Sequence, residues 1–280
     1  MKKIGFVDYY LSEWHANNYP AWMAEVCREK GLDYQVAYAW GELETSPLDG
    51  VTSAQWCEKN GVELCASIEE LCEKSDVILV LAPSNPEKHL AYAKAVLPYQ
   101  KTTYIDKTFA PDLATAEEIF AIAAKHGTPV FSSSALRYST ELETENPTRS
   151  MMVTGSGSSV EEYIVHLAEM VVKKLGVGAK SIRCQTCGIQ SYFQVKYGDD
   201  REAMMIFSKK LPYTLLMTDA NGKPAYAAVK SAFFQGLMAE ILRYYESGES
   251  SVTPEETLEV MRLCQGAVRA AKQCDIWLDL

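Results

Sequence analysis

Two side chains in this sequence combine a titratable group with a position from which it could reach a ligand. Lys107 follows Thr103–Ile105, a short apolar run typical of a buried strand, and His166 lies on a segment with helical periodicity. An imidazole can take and return a proton near neutral pH, and an ammonium group can stabilise charge that develops on an oxygen. Glu162, one helical turn before His166, could hold the ring, although a capping-box glutamate for Ser159 would fall at the same place. Lys107, His166 and Glu162 are therefore candidate catalytic residues.

Small and polar residues follow each predicted strand in the first half of the chain. Strands are predicted at Ile4–Val7, Tyr34–Ala39, Val77–Leu81, Thr103–Ile105 and Pro129–Phe131. Helical segments lie between them, which is typical of a doubly wound α/β sheet, where ligands bind beyond the carboxyl ends of the strands. The candidate cofactor-binding residues are accordingly Asp8, Tyr10, Leu11, Trp40, Ala82, Pro83, Ser84, Asp106 and Arg137.

The segment after the first strand lacks the glycines of a dinucleotide fingerprint. Where Gly-x-Gly-x-x-Gly would stand, the chain has Asp8-Tyr9-Tyr10-Leu11-Ser12-Glu13. Those glycines allow a tight turn, close approach of pyrophosphate and close helix packing, and Asp8, Tyr10 and Glu13 each disfavour one of these. Pro20 predicts that the next helix begins or kinks well downstream. We therefore expect the phosphate site of this helix to be either displaced or lost.

The pattern changes from about Arg137. The segment Glu141–Gly157 is polar and rich in turn residues, which predicts a loop or linker, and a helix is predicted from Ser159 to about Leu175. Consecutive strand-like runs then follow without helices between them, which favours an antiparallel sheet. These runs are Ser181–Thr186, Ile189–Tyr197, Ala203–Ser208, Tyr213–Thr218 and Ala225–Val229, and two helices, Ala232–Ser247 and Leu258–Gln273, come last.

Composition excludes some classes of partner. The net charge of −10 disfavours broad binding to nucleic acid or to anionic membranes, which need a cationic surface. No apolar run is long enough for a signal peptide or a membrane span, so a cytoplasmic location is expected. The eight cysteines are scattered, which favours reduced thiols. Cys184 and Cys187 have metal-ligand spacing but no second pair, so no metal site is predicted.

Two segments resemble a known family. Tyr104–Ala110, with Asp106-Lys107-Thr108 at its centre, resembles the Glu-Lys-Pro motif of the glucose-fructose oxidoreductase, inositol dehydrogenase and rhizopine catabolism (Gfo/Idh/MocA) family. The tail from Tyr245 through Thr253-Pro254-Glu255-Glu256 to Met261 is similar to the closing segment of that family. The resemblance covers essentially the whole chain.

The resemblance implies a site as well as a fold. Family members oxidise or reduce a hydroxyl-bearing carbon of a sugar, cyclitol or related molecule with NAD or NADP. Lys107 matches the family lysine that contacts substrate and nicotinamide, and His166 matches the histidine that serves as general acid and base. Arg137 matches an arginine often found after the next strand, while His15 and His89, which also resemble family positions, are expected to be structural.

The fold class that follows is α/β, with a Rossmann-like doubly wound domain over residues 1–135. Residues 136–280 are predicted to form an α+β domain with a mostly antiparallel sheet, whose C-terminal helices pack back toward the first domain. Glu42 could reach a cofactor ribose after the second strand, but neither a clear acid nor an arginine there distinguishes NAD from NADP.

Three interpretations of the function remain open. The first is an NAD(P)-dependent oxidoreductase with an altered cofactor loop, which acts on a hydroxyl or keto carbon of a small molecule. The second is a cofactor-free lyase, isomerase or hydrolase that uses Lys107, Glu162 and His166 for acid–base chemistry. The third is a non-catalytic ligand-binding protein on the same scaffold.

The second domain also predicts self-association. Its strands carry more apolar residues than one layer of helices would cover. The alternative is that these residues simply fill the core of the domain. They are Ile189, Tyr192, Phe193, Val195, Met204, Met205, Phe207, Leu215 and Met217. An exposed apolar sheet face favours a homodimer or homotetramer, which the family resemblance also implies.

Overall fold

The computed structural model describes residues 1–144 and 147–280, apart from the side chain of Cys187. The chain divides into two compact units. Unit 1 comprises Met1–Ser133 and Phe234–Thr253, and unit 2 comprises Ser134–Phe233 and Pro254–Leu280. The first of the two C-terminal helices therefore falls almost entirely in unit 1 and the second in unit 2.

Unit 1 contains a six-stranded parallel sheet in the order β3-β2-β1-β4-β5-β6. The strands are β1 (Lys2–Asp8), β2 (Tyr34–Gly41), β3 (Glu63–Leu64), β4 (Val77–Val80), β5 (Thr103–Ile105) and β6 (Val130–Phe131). The chain builds outward in opposite directions from β1 and β4, so the crevice at a doubly wound switch point opens beyond their carboxyl ends. All five predicted strands are present, and the two-residue β3 was not predicted.

The helices of unit 1 begin and end at ordinary capping residues in most cases. They are α1 (Trp14–Lys30), α2 (Ser53–Asn60), α3 (Ile68–Lys74), α4 (His89–Val96), α5 (Leu113–His126) and, from Phe234 onward, α7 (Phe233–Ser247). Ser67 and Asp112 cap α3 and α5 through their side chains, and Gly31 and Gly127 end α1 and α5 in the left-handed conformation. Tyr245 anchors α7 by donating its hydroxyl to the Ile78 carbonyl at 2.7 Å.

The prediction that the first helix begins near Pro20 was wrong. Helix α1 begins at Trp14, directly after the segment that replaces the fingerprint, and Pro20 lies inside it. Glu13 is the N-cap residue, and its carboxylate accepts from the backbone N–H groups of His15 and Ala16. A glutamate is an unusual N-cap, so the sequence did not signal this start.

Unit 2 contains a seven-stranded sheet in the order β12-β11-β7-β10-β9-β8-β13. Its strands are β7 (Thr148–Ser156), β8 (Ala179–Cys187), β9 (Gln190–Tyr197), β10 (Glu202–Ser208), β11 (Thr214–Asp219), β12 (Pro224–Ala228) and β13 (Leu278–Asp279). β7 and β10 run parallel, and the other neighbouring strands are antiparallel. Helices α6 (Val160–Leu175) and α8 (Pro254–Lys272) pack on this sheet. The predicted fold class is confirmed.

The prediction of a loop over Glu141–Gly157 was wrong for its second half. Thr148–Ser156 forms β7, a central strand, while Glu145 and Asn146 lie outside the described residues. Met151, Val153 and Gly155 alternate toward the core, a period of two that the flanking Ser, Thr and Gly residues obscured.

The apolar strand residues of unit 2 divide between the two faces of the sheet. The sequence predicted more apolar strand residues than one layer of helices would cover. Most of them are buried in the core of the unit: Phe193, Val195, Met205, Phe207, Leu215 and Met217. Tyr192 and Met204 are only half-buried, and Ile189 is exposed. Met152 and Leu216, which were not singled out from the sequence, are exposed together with Tyr226. Because side chains alternate along a strand, only part of the apolar set remains on the outer face.

Gly155 sets how closely β7 approaches the helix that carries His166. A Cβ atom built at Gly155 would lie 2.5 Å from Leu167 Cδ1 and 2.5 Å from Tyr213 Cε1. We expect Gly155→Ala to lower the free energy of unfolding by about 1–3 kcal/mol, since overpacking forces buried side chains to move. Urea unfolding of this variant and of the neighbouring control Ser156→Ala measures the effect, and equal stability of the two would contradict the packing described.

Candidate functional site

The carboxyl ends of β1, β4 and β5 bring the predicted residues of unit 1 together. Asp8 ends β1, and its Oδ1 accepts from the Ala82 N–H, which follows β4, at 3.0 Å. Lys107, which follows β5, donates from Nζ to the Pro83 carbonyl at 3.0 Å. Asp8, Ala82, Pro83, Asp106 and Lys107 therefore form one cluster at the switch-point crevice of the sheet.

Asp8 is a buried carboxyl group with an unsatisfied oxygen. The residue is 1% exposed, and its Oδ1 accepts from the N–H groups of Tyr9 and Ala82, whereas Oδ2 has no hydrogen-bond partner. Burial raises the pKa of the Asp8 carboxyl well above its ordinary value, and the nearby charge of Glu13 adds to the shift. Ala82 has a φ of 60°, in the left-handed region that non-glycine residues avoid, and its hydrogen bond to Asp8 helps to hold it there.

Glu13 occupies the N-terminus of α1. Its Oε2 accepts from the His15 N–H at 2.8 Å, and its Oε1 accepts from the Ala16 N–H. These are backbone donors that a helix would otherwise offer to an anion. Glu13 is itself buried, and burial raises its pKa although His15 and the two N–H donors act in the opposite direction.

Asp106 is the most extensively bonded carboxylate of the cluster. Its Oδ2 lies against His15 Nδ1, and its Oδ1 accepts from the Lys107 N–H at 2.8 Å and from the Tyr104 hydroxyl at 3.1 Å. Burial alone would raise the pKa of Asp106, but the charges of His15 and Lys107 and these hydrogen bonds outweigh it and lower the pKa. Asp106 is therefore ionised and holds the groups around it in fixed positions.

Lys107 can supply a positive charge to a ligand in this crevice. The residue is 8% exposed, and it follows a strand whose every residue is buried. Its ammonium group is bonded to a backbone carbonyl, that of Pro83, and forms no salt bridge within the described ranges 1–144 and 147–280. An ammonium group held in this way can donate a hydrogen bond to a substrate oxygen and stabilise negative charge on it.

The other predicted cofactor-binding residues of unit 1 lie around the cluster with different exposures. Leu11 is buried and Tyr10 is half-buried with its ring 5.8 Å from that of Tyr9. Trp40 packs edge-on against Tyr92, and Ser84 is exposed. Glu42 accepts from Lys88 and from the Tyr92 hydroxyl at 2.7 Å, so its carboxylate is already engaged by this chain.

In unit 2, His166 lies on α6 and is held by a serine. Ser134 Oγ is 2.7 Å from His166 Nδ1, and the rings of Tyr163 and Tyr213 flank the imidazole with centroids at 5.8 and 6.1 Å. The Glu162 carboxylate accepts from the Ser158 hydroxyl at 2.9 Å, and the Glu162 N–H donates to Ser159. Both of these contacts are typical of a helix N-terminus.

Arg137 belongs to a buried ion-pair network in unit 2. It donates to Glu169 at 3.2 Å and also to Glu256, and the Ser134 N–H donates to Glu169 at 3.0 Å. Burial would lower the pKa of Arg137, but Glu169 and Glu256 raise it further above its ordinary value. This geometry favours a structural role over the cofactor contact predicted for Arg137, since both carboxylates are needed to offset the buried charge.

The sequence suggested a structural role for His15 but did not indicate which residues would surround it in the fold. His15 stacks on Tyr19 with ring centroids 4.9 Å apart, and it lies beside the exposed Trp14 at 5.3 Å. Asp106, its partner, is 91 residues away in the sequence, and only the strand order brings the two together. His89, the other family-like histidine, is fully buried and bonded at both ring nitrogens to backbone carbonyls, as a structural residue would be.

The described residues hold neither a metal-binding cluster nor a helix that could span a membrane. Within residues 1–144 and 147–280, no three His, Cys, Asp or Glu side chains gather in a way that could hold a metal ion. Of the two cysteines with metal-ligand spacing, Cys184 is buried, and the side chain of Cys187 lies outside the described part. No helix in the described residues is long and apolar enough to cross a membrane.

The sheet of unit 1 has the strand order of a Rossmann-type fold. A family model described as "Oxidoreductase family, NAD-binding Rossmann fold" (GFO_IDH_MocA) matches residues 48–134. The uncharacterized oxidoreductase YhhX of Escherichia coli K12 is 33% identical over 69 residues, which are 25% of this chain and 20% of that protein. The family resemblance inferred from the sequence is thereby confirmed, and the family model matches the part of unit 1 that follows β2.

Solved structures extend the similarity of fold to the whole chain. A probable dehydrogenase from Thermotoga maritima superposes with a TM-score of 0.80 at 11% identity, over 99% of this chain and 98% of that one. An oxidoreductase from Agrobacterium radiobacter, in complex with NAD+, L-tartaric acid and magnesium, gives 0.76 at 14% identity over 99% and 98%. At these identities the similarity shows the fold of the chain.

The residues of this chain do not fit a dinucleotide bound in the ordinary Rossmann way. In that mode the pyrophosphate lies at the N-terminus of the first helix. Here the Glu13 carboxylate already accepts from the first donors of α1, and Asp8 replaces the first glycine as a buried carboxyl. The matched family segment begins at residue 48, so it leaves out this part of the chain.

The unsatisfied carboxyl of Asp8 should make stability fall as pH rises. A raised pKa means that the folded state binds more protons than the unfolded state, so the free energy of unfolding decreases above the ordinary pKa of 3.8. Asp8→Asn removes this decrease, and we expect it to stabilise the protein relative to wild type by about 1–3 kcal/mol at neutral pH, with a smaller difference near pH ~4.

Urea unfolding at several pH values measures this difference. Asp49→Asn is the control of opposite sign, because the Ser12 hydroxyl lowers the pKa of the exposed Asp49 and favours its ionised form. An Asp8→Asn effect that does not change with pH would contradict the burial of an unsatisfied carboxyl.

Proposed function

We propose that this chain is an enzyme that transfers protons at a hydroxyl or keto carbon of a sugar, a cyclitol or a similar small molecule. The observation that carries the proposal is the position of Lys107, held at the carboxyl end of β5 beside the ionised Asp106, in the crevice where α/β sheets bind ligands. The family resemblance supports the substrate class. The acidic crevice disfavours a strongly anionic substrate.

Lys107 and His166 have separate roles in this proposal. Lys107 donates a hydrogen bond to the substrate oxygen and stabilises the charge that develops there. His166, held by Ser134, serves as a general acid and base in unit 2. Glu162 contributes through the N-terminal turn of α6, where it is bonded to Ser158 and Ser159.

Two versions of this chemistry differ in whether a hydride leaves the carbon. NAD(P)-dependent oxidoreduction is supported by the family and by the fold, and NAD and NADP are equal candidates in it. A cofactor-free reaction, such as isomerisation or elimination, is favoured by one specific observation, the occupation of the α1 N-terminus by Glu13. A protein that only binds its ligand would share the crevice but would not need the ammonium group of Lys107.

Substitution of the two proposed groups tests the enzyme directly. We expect Lys107→Met and His166→Gln each to lower turnover roughly 10²–10⁴-fold, since each removes a group that stabilises or transfers charge in the transition state. Turnover is measured by NMR on a panel of neutral sugars, cyclitols and their ketones, with and without NAD(P) and NAD(P)H.

Lys125→Met is the matched control, because Lys125 lies on the exposed last turn of α5. Turnover that requires NAD(P) selects the oxidoreductase version, and turnover without it selects the cofactor-free version. Unchanged turnover in both Lys107→Met and His166→Gln would contradict the proposal. Ligand binding without turnover would instead favour the non-catalytic interpretation.

We also propose that two copies of the chain associate through the outer face of the seven-stranded sheet. A cavity of about 560 Å³ on this face is lined by apolar and charged residues that include Met152, Met204, Leu216 and Trp277. Exposed apolar surface of this kind favours association with a matching surface. The alternation of the strands leaves fewer such residues than the sequence indicated.

Light scattering at micromolar concentration tests this association. We expect a dimer or tetramer for the wild type and a shift toward monomer for Leu216→Glu, which places a charge on the apolar face. Lys223→Glu, in the exposed turn between β11 and β12, is the control. A monomeric wild type would overturn the proposal.

A further inference from the structure

The segment that replaces the glycine fingerprint carries a histidine whose setting differs from that of the other buried histidine. His15 Nδ1 lies against Asp106 Oδ2, and the Tyr19 hydroxyl is 3.2 Å from the same nitrogen. A carboxylate that accepts from Nδ1–H fixes the tautomer of an imidazole and leaves Nε2 to exchange protons. His89, by contrast, is bonded to the protein through both nitrogens.

The Nε2 atom of His15 is the ring nitrogen that Asp106 and Tyr19 leave unbonded. The side chain is 10% exposed, and within residues 1–144 and 147–280 no hydrogen bond to its Nε2 is recorded. Asp106 is fully buried and fixed by the Tyr104 hydroxyl and the Lys107 N–H, so it cannot turn away from the imidazole. The ring is therefore held in one orientation, as a proton-transfer group requires.

The surroundings of His15 indicate the kind of ligand that would reach it. Trp14, 51% exposed, lies against the ring at 5.3 Å and against Phe234 at 4.9 Å, so an aromatic surface borders the imidazole. Glu13 and Asp106 bring negative charge to the same place. Aromatic surface beside a few fixed polar groups is typical of sites for small organic ligands, and the carboxylates disfavour phosphorylated ones.

We propose that His15 is a proton-transfer residue of this crevice, positioned by Asp106, and that its substrate is an uncharged hydroxyketone or hydroxyaldehyde. This inference rests on the proposed function and deepens it, because it assigns an acid–base group to unit 1 itself. Lys107 follows Asp106 directly, and its backbone N–H donates to the same carboxylate that holds the imidazole.

The reaction is a proton shift beside a carbonyl group. His15 Nε2 takes the proton from the carbon next to the carbonyl, and the electron pair of that C–H bond moves to form a carbon–carbon double bond while the carbonyl oxygen gains the negative charge. Lys107 stabilises this enolate oxygen. The imidazolium, whose charge Asp106 stabilises, then returns the proton to carbon. Atoms and electrons balance without an oxidant or reductant.

Exchange of carbon-bound hydrogen with D₂O tests the step. The wild type is incubated with fructose and with 2-keto-myo-inositol, and deuterium incorporation is followed by NMR. We expect incorporation to fall roughly 10²–10⁴-fold in His15→Gln, and in Asp106→Asn as well, while the control His126→Gln leaves it unchanged. Fructose 1-phosphate, which carries added negative charge, should exchange more slowly than fructose in the wild type.

A second readout does not depend on turnover. In the full-length protein with ¹⁵N-labelled histidine, the His15 ring signals are assigned by their loss in His15→Gln, and they are followed as fructose is added. We expect Nε2 of His15 to shift on addition while His126 does not, and we expect Asp106→Asn to change the tautomer of His15. Circular dichroism establishes that each variant folds.

The two readouts separate this inference from the proposed function. Ring signals of His15 that are unaffected by fructose would overturn the role of His15, whatever the turnover. Exchange that persists in His15→Gln but is lost in Lys107→Met or His166→Gln would overturn it as well and leave the proposed function standing. A ligand-induced shift of His15 without turnover of any substrate would support its contact with ligand and overturn the proposed enzyme.

Discussion

The contact between the Glu13 carboxylate and the first N–H groups of α1 determines how the crevice of unit 1 is used. A parallel sheet directs the N-terminus of its first helix toward the switch point, where these donors attract an anion. In this chain the anion is a covalent part of the protein. Glu13 is buried, so it satisfies the helix from inside and does not leave the donors to solvent.

The other unusual features of unit 1 follow from that substitution. With the phosphate position occupied, no glycine is required after β1, and Asp8 can instead bond to the backbone of Ala82, which adopts a left-handed conformation. His15, the next residue but one after Glu13, is directed toward Asp106. The loop that would hold pyrophosphate thus holds a network of carboxyl groups and an imidazole. This rearrangement is local, because the strand order and the helices around it remain those of a dinucleotide-binding fold.

The sequence predicted the fold where its signals are local and missed what depends on contacts distant in the chain. The apolar runs of β1, β2, β4, β5 and β6 and the caps Ser67 and Asp112 were recognisable, because periodicity and capping act within a few residues. The predicted start of helix α1 lay too far along the chain, because glutamate is not a usual N-cap residue and proline is common in the first turn of a helix. Strand β7 was missed because Gly155 and its serine neighbours resemble a turn.

In the candidate site, the sequence predicted that Asp8, Ala82 and Lys107 lie close together, because each follows a strand of the parallel sheet. The pairing of His15 with Asp106 could not be predicted, since it depends on how α1 leaves the sheet. Likewise, the engagement of Arg137 by Glu169 and Glu256 depends on helix packing in unit 2. Side chains that look available in a sequence are often already bonded in the fold.

A calorimetric titration of NADH and NADPH into the wild type and into Glu13→Gly tests the central claim, that the protein itself occupies the phosphate position of α1. The account predicts that both nucleotides bind the wild type more weakly than the variant, in which the helix donors are released. Glu25→Gly, a substitution at a half-buried position on the same helix, controls for loss of helix stability. Micromolar binding to the wild type, unchanged in Glu13→Gly, would contradict the account.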